Sequence, residues 1–294
     1  MLKKGIILAG GTGSRLRPVS DFLCKQLMPI YDKPLIYYPI TSLILAGIKD
    51  ILIISTPRDT AVLEGALGDG SRWGVSLSYK IQNKPRGLAD AFILGEEFID
   101  GQPVCLILGD NILNVSRFSN FMNKAFEEND GATIFGFPVH DPQRFGVVEI
   151  DFDTKRVISL EEKPEKPKSN LAAIGLYIYD NTVCEKAKSI KPSARGEIEI
   201  TDLNNLYLQE KTLKCNRLSR GDLWIDAGVF DSFSDASNLI RLIESRLGLK
   251  IGCPEEASYM IGNISRQQLL NISKEYSKSS YGTYLKKIAL DKFS

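Results

Sequence analysis

The residues best suited to chemistry sit in a glycine-rich turn: Gly10, Gly11 and Gly13 follow the apolar run Gly5 to Ala9 and precede Arg15 and Arg17. Glycines in such a turn take up positive φ and let backbone N–H groups approach an anion with no Cβ in the way. The arginines add positive charge, so the stretch predicts a polyphosphate-binding loop. It fits neither of two common glycine motifs. A dinucleotide fingerprint starting at Gly11 would need glycine where Leu16 stands, and a P-loop needs Gly-Lys-Ser/Thr before its helix. Lys25 follows closely enough to return to the same phosphates. Asp110, just past the apolar run Val104 to Leu108, and Asp226, closing Leu223 to Asp226, are carboxylates of the kind that share Mg²⁺ with phosphate oxygens. Lys163 and Arg195 are candidate contacts for a second anion. Taken singly, each of these residues reads equally well as a turn, cap or surface group. The signal lies in their combination.

Such a set needs a frame that carries positions 10, 110 and 226 to one place. Apolar runs bounded by turn residues predict strands over Lys4 to Leu8, Asp50 to Ser55, Leu77 to Gln82, Val104 to Leu108 and Ala132 to Val139. Helical spacing predicts helices between them, over Leu35 to Ala46, Asp59 to Leu67, Gly87 to Phe98 and Phe118 to Glu128. The alternation predicts an α/β fold with a mostly parallel sheet, whose ligands lie at the carboxyl ends of the strands. After Asp141-Pro142 come shorter alternating segments, Gly146 to Asp151, Arg156 to Leu160, Ala172 to Tyr179, Thr212 to Leu218 and Leu223 to Asp226. These predict an extension of the sheet with an antiparallel part and a helix at Glu199 to Gln209. Helices over Ser232 to Arg246, Arg266 to Tyr276 and Tyr284 to Ala289 close the chain. The expected organisation is one domain over 1–294, with a nucleotide-binding half at 1–140, a sugar-phosphate half at 141–230 and a helical part at 231–294.

Composition narrows the partners. Lys and Arg number 37 against 36 Asp and Glu, for a net charge of +1, so no overall field draws the chain to nucleic acid or to an anionic membrane. Neither a membrane-spanning run nor a signal-peptide order is visible, which predicts a cytoplasmic protein. Five scattered cysteines, none in a Cys-x-x-Cys arrangement, argue against a disulfide framework and a zinc site. The single histidine, His140, leaves little room for a serine triad or a histidine-rich metal centre.

The chain resembles the sugar-1-phosphate nucleotidyltransferases, most closely their glucose-1-phosphate thymidylyltransferase branch. The resemblance rests on Lys4 to Leu16, Lys25-Gln26, Pro29 to Pro34, Leu52 to Pro57, Leu108-Gly-Asp-Asn111, Ser159 to Pro164, Ala194 to Glu197 and Cys253 to Glu256, in that order. It implies a Rossmann-like nucleotidyltransferase fold and a Mg²⁺-dependent reaction in which a hexose 1-phosphate, commonly glucose 1-phosphate, attacks the α-phosphorus of dTTP. A dTDP-sugar and pyrophosphate result. By position, Gly10, Gly11, Thr12 and Gly13 would hold the nucleotide and its phosphates, with Arg15 and Lys25 on the triphosphate. Gln26, Gln82 and Gly87 would lie at the base. Asp110 and Asp226 would hold the metal, while Phe145, Gly146, Glu162, Lys163 and Arg195 would receive the sugar phosphate. Homotetramers and a regulatory nucleotide-sugar site are implied as well. The chain departs from the family's usual residues at Phe145, Ile174, Ala227 and Phe230, where polar groups are replaced, and at Arg86 and Asp90. Two further readings follow from those departures: the same chemistry on a less polar hexose phosphate, and a nucleotide-sugar sensor without turnover.

Overall fold

The computed structural model describes residues 3–11, 13–151 and 153–290. Thr12, one of the expected nucleotide contacts, lies outside the described residues. In chain order the strands are β1 (Lys4–Ala9), β2 (Pro29–Ile30), β3 (Lys33–Pro34), β4 (Asp50–Ser55), β5 (Ser76–Ile81), β6 (Val104–Leu108), β7 (Asn111–Asn114), β8 (Ala132–Pro138), β9 (Gly146–Ile150), β10 (Val157–Glu162), β11 (Leu171–Tyr179), β12 (Leu213–Arg217) and β13 (Leu223–Asp226). The main sheet runs β10-β9-β11-β6-β1-β4-β5, and β8 joins β11 to β12 off that path. Pairings β6/β1, β1/β4 and β4/β5 are parallel, whereas β11 runs antiparallel to β6, β8 and β9. This is the mixed, mostly parallel sheet flanked by helices that the alternation predicts.

The central strands are apolar without interruption because both faces are covered. Along β1, Ile7 and Ala9 enter one core cluster while Ile6 and Leu8 enter another; along β6, Cys105 and Ile107 divide from Val104 and Leu106 in the same way. Each large side chain so buried contributes roughly 1.5–3 kcal/mol, so the strands form a stiff frame. The loops at their carboxyl ends carry the polar residues.

One expectation needs correction, and one strand was not foreseen. The helix expected over Gly87 to Phe98 is two short helices, Asp90–Leu94 and Glu96–Ile99. Gly87 cannot join it: its φ is +98°, and a Cβ there would lie 2.3 Å from the Ile198 carbonyl oxygen. The segment after β6 contains β7, which pairs antiparallel with β13 and sets Asp226 opposite Asn111. At the far end, helices Phe230–Leu247, Pro254–Met260, Arg266–Glu275 and Ser280–Leu290 build their own apolar clusters, one of them around Leu269, Ile272 and Leu285. Pro254–Met260 packs on the helix Tyr37–Leu45. Among the described residues no helix is long and apolar enough to cross a membrane.

Candidate active site

The carboxyl ends of four parallel strands meet in a stitched edge. Gly109 N–H donates to the Leu8 carbonyl (2.9 Å), Ser55 Oγ to the Ala9 carbonyl (3.0 Å) and Gln82 N–H to the Ser55 carbonyl (2.7 Å). From this edge rises the glycine loop. Gly11 has φ +116°, and Gly13, with φ +60°, starts the 3-10 turn Ser14–Leu16. Ser20 Oγ donates to the Gly13 carbonyl (2.8 Å), and Arg58 in turn donates to the Ser20 carbonyl (2.8 Å). These bonds brace the Gly13 end of the loop, and Arg15 stands exposed just after it.

Next to it lies the charged centre. Lys25 Nζ is 2.5 Å from Asp110 Oδ2, with both side chains largely shielded from solvent. Asn111, almost fully buried, donates from Nδ2 to Asp110 Oδ1 (3.2 Å); its own Oδ1 accepts from Trp224 Nε1 (2.6 Å) and from Gly175 N–H (3.2 Å). Ala227 N–H donates to the Asp110 carbonyl (3.0 Å), so the chain turns from β13 directly over Asp110. Burial raises the Asp226 carboxyl above its usual range, the Asp110 charge raises it further, and Lys25, Arg15 and Arg144 pull the other way. The two carboxyl groups act on each other electrostatically, with Lys25 and Arg15 as the opposing charges beside the glycine loop.

Toward the β10 edge of the sheet, β10 ends in Glu162, with Lys163 next in the chain. Lys163 has φ +45°, its N–H donates to the Phe145 carbonyl (3.0 Å), and its Nζ lies 3.2 Å from Glu162 Oε1. Glu162 Oε2 accepts from Thr201 Oγ1 (2.8 Å) and lies 3.4 Å from where a Cβ on Gly146 would be. The Phe145 ring packs edge-on against Trp224, centroids 5.2 Å apart, which ties this bank to β13 and Asp226. Arg195 is engaged by Glu199 (2.9 Å) and Glu197 (3.4 Å) in an exposed loop. On the β5 side, Gln82 is buried beside Gly10. The loop carrying Gly87 is zipped to Ile198 by Ile198 N–H to the Arg86 carbonyl (2.6 Å) and Ala89 N–H to the Ile198 carbonyl (3.2 Å). Gln26 is buried too, accepting from the Cys24 thiol (3.4 Å).

A Nucleotidyl transferase family profile matches residues 4–242. The chain belongs to the nucleotidyl transferase family. It is 48% identical over 287 residues to a glucose-1-phosphate thymidylyltransferase of Xanthomonas campestris pv. campestris, covering 98% of this chain and 97% of that one. It is 51% identical over 282 residues to one of Mycolicibacterium smegmatis, covering 96% and 97%. A solved structure from Bacillus anthracis, described as a glucose-1-phosphate thymidylyltransferase in complex with sucrose, superposes with TM-score 0.75 at 41% identity, covering 81% of this chain and 95% of that one.

In this nucleotidyl transferase the fold gathers the expected residues into three groups. Gly10, Gly11, Gly13 and Arg15 lie in the glycine loop with Lys25, Asp110 and Asp226 beside it; Phe145, Gly146, Glu162 and Lys163 form a second group; Gln82 and Gly87 lie toward β5. Arg195 is spoken for by two glutamates instead of standing free. Of the four apolar departures, Ile174 and Ala227 are fully buried in core clusters, so they cannot line a sugar site. Phe145, packed on Trp224, and the exposed Phe230 are the two of these four that no core cluster encloses. Sequence reading missed Asn111 and Trp224 as the supports of Asp110. Their one visible signal was an amide directly after the aspartate. All five cysteines are free and buried; burial, then the Asp59 charge, push the Cys24 thiol up to about 11, so it is no thiolate nucleophile beside Lys25.

Proposed function

We propose that this enzyme transfers a thymidylyl group from dTTP to a hexose 1-phosphate, with glucose 1-phosphate the first choice, giving a dTDP-sugar and pyrophosphate. The observation that carries it is the meeting of Lys25, Asp110 and Asp226 beside a glycine-rich loop, in a chain about half identical to glucose-1-phosphate thymidylyltransferases along nearly all its length. A phosphate oxygen of the sugar attacks the α-phosphorus; the new P–O bond forms as the bond to the β-phosphate oxygen breaks. No protein nucleophile is required. The chain's task is to align two polyanions and to neutralise charge as it builds. Backbone N–H groups of the Gly10 to Gly13 turn cradle the triphosphate, and Arg15 and Lys25 balance the departing pyrophosphate. Lys163 and Glu162 hold the sugar phosphate, with Arg195 released from its glutamates as a further contact.

Asp110 and Asp226 fit Mg²⁺. Magnesium takes one or two carboxylates and completes its shell from phosphate oxygens and water, and a dication would offset both the burial and the added Asp110 charge that raise the Asp226 carboxyl. Bound there, it would stabilise negative charge on the five-coordinate phosphorus. Without substrate, Lys25 holds Asp110 in place of that ion. The reading extends to one catalytic unit over the whole chain, assembled as a homotetramer in the cytoplasm.

The test is a matrix of nucleoside triphosphates against hexose 1-phosphates with Mg²⁺, scored by pyrophosphate release. The highest signal is expected for dTTP with glucose 1-phosphate. Silence in every combination would sink the proposal and leave a protein that binds nucleotide without turnover.

A further inference from the structure

Beside the glycine loop, on the side away from Asp110, a carboxylate is buried with half its hydrogen-bonding capacity unused. Asp90, only 1% exposed, opens the helix Asp90–Leu94. Its Oδ2 accepts from Gln82 Nε2 at 3.0 Å. Its Oδ1 has no hydrogen bond within the protein; the nearest cation is the guanidinium of the exposed Arg86, with Nε at 3.7 Å. Burying a carboxylate this deeply is costly, so the position asks for a reason.

The reason lies in what a carboxylate does to the amide facing it. Carboxylate oxygens only accept, whereas an amide both donates and accepts. The end of Gln82 turned toward Asp90 must therefore be its NH₂, whatever else the pocket holds. Its oxygen then has one direction left, away from Asp90 and toward Gly10, where Oε1 lies 2.8 Å from the place a Cβ would occupy. A glycine at position 10 leaves room for that oxygen.

The strand order says which part of a nucleotide meets it. With phosphates held over β1 and β6 by the loop, Lys25 and Asp110, the rest of the nucleotide extends across β4 toward β5, and Gln82 is the residue that follows β5. We propose that Asp90 is a positioning residue for base selection: it locks the Gln82 side chain with its oxygen toward the ligand, so that the site takes nucleobases presenting a ring N–H, such as the imide of thymine or uracil, and rejects cytosine and adenine, whose corresponding ring nitrogens are acceptors. This rests on the nucleotidyl-transfer reading for where the phosphates lie. The lock itself rests on the Asp90–Gln82 pair.

The test uses the wild-type enzyme and Asp90→Asn, an isosteric change that can face Gln82 with either a donor or an acceptor and so frees the amide to turn over. For the wild type, N3-methyl-dTTP, in which a methyl group replaces the hydrogen of the ring N–H, should be at least about tenfold poorer than dTTP in kcat/KM, through loss of the donor together with the bulk of the methyl. In Asp90→Asn the preference for dTTP over dCTP should fall by about tenfold or more, through KM and not kcat, with the melting temperature showing that the variant is folded. Equal use of dTTP and N3-methyl-dTTP by the wild type overturns the proposal without any variant. An unchanged dTTP preference in folded Asp90→Asn overturns it as well. If the wild type releases no pyrophosphate from any pair of substrates, the transfer reading has failed; equilibrium binding of dTTP, dCTP and N3-methyl-dTTP to the same two proteins then decides the role of Asp90 by the same ratios.

Discussion

Asp226 shows most directly how function is set against stability. Burial and the neighbouring Asp110 raise its carboxyl, so the folded protein binds that proton more tightly than the unfolded chain does. For an acid with a raised folded value, the favourable contribution is complete below the ordinary carboxyl value of 3.8 and is lost as pH rises through the folded value. Above the folded value that contribution is gone, so an ionised Asp226 costs the fold stability. Asp226→Asn removes that cost: at pH 7, without ligands, the variant should melt at or above the wild-type temperature, and the difference should disappear toward pH 3.8 and below. Turnover should fall about a hundredfold or more, as for loss of a group acting on transition-state charge. A variant that melts below the wild type by the same margin at both pH values would show that Asp226 is structural. Asp110→Asn is the natural comparison, since Asp110 already has Lys25 for a partner.

At the scale of elements, the buried strands were legible in sequence, whereas β7, which completes the site, was not. β4 and β6 begin and end where the apolar runs do, because burial on both faces leaves no polar interruption to blur them; the half-buried, four-residue β13 also has the expected bounds. β7 was invisible: it is four residues long, has asparagine at both ends, and meets its partner strand through residues 113 positions apart, Asn111 and Trp224. The same distance hid the support of Asp110, since nothing local to Trp224 announces a bond to Asn111. The charged site residues were legible because a polyanion site needs them in combination, whereas the burial of Ile174 and Ala227 depends on packing that no local pattern carries. The β7/β13 pair predicts its own test. Trp224→Phe keeps the ring against Phe145 but deletes the Nε1 donor, leaving Asn111 Oδ1 with Gly175 N–H alone. Lost stability should be about 1 kcal/mol, the usual net worth of a hydrogen bond. The kcat should drop more than that figure implies, about tenfold or more, because the Asn111 amide that orients Asp110 is loosened. Equal small losses in stability and rate would mean that Asp110 does not depend on this support.

At the scale of the whole molecule, the C-terminal helices are tied to the N-terminal half by a buried ionic cluster of which Asp32 and Lys33 lie within the family profile and Glu244 and Lys250 beyond its end at residue 242. Lys33, 1% exposed, sits between Glu244 Oε1 (2.7 Å) and Asp32 Oδ1 (2.6 Å); Lys250 bridges Glu244 Oε2 (3.0 Å) and the other oxygen of Asp32. Glu244 also accepts from Ile251 N–H (2.9 Å), so one carboxylate holds the β2/β3 hairpin, the helix Phe230–Leu247 and the segment entering the last helices. Exchanging such a cluster for apolar residues can be neutral, but removing one charge strands the others and costs about 3–5 kcal/mol. Glu244→Gln should lower stability by that amount in denaturant unfolding. High salt should not close the gap, because buried pairs are poorly screened. Its pH dependence has two ends. Burial pushes the Asp32 carboxyl up, but Lys250 and Lys33 outweigh it and hold the group below 3.8; that stability is present above 3.8 and is lost as pH falls through the folded value. Burial pushes Lys250 down, but Asp32 and Glu244 outweigh it and raise the group above 10.5; that stability is present below 10.5 and is lost as pH rises through the folded value. The difference between wild type and Glu244→Gln should therefore stay level between about pH 4 and pH 10 and narrow at both extremes. A difference that shrinks steadily through neutral pH would mean that a group outside this cluster carries the effect.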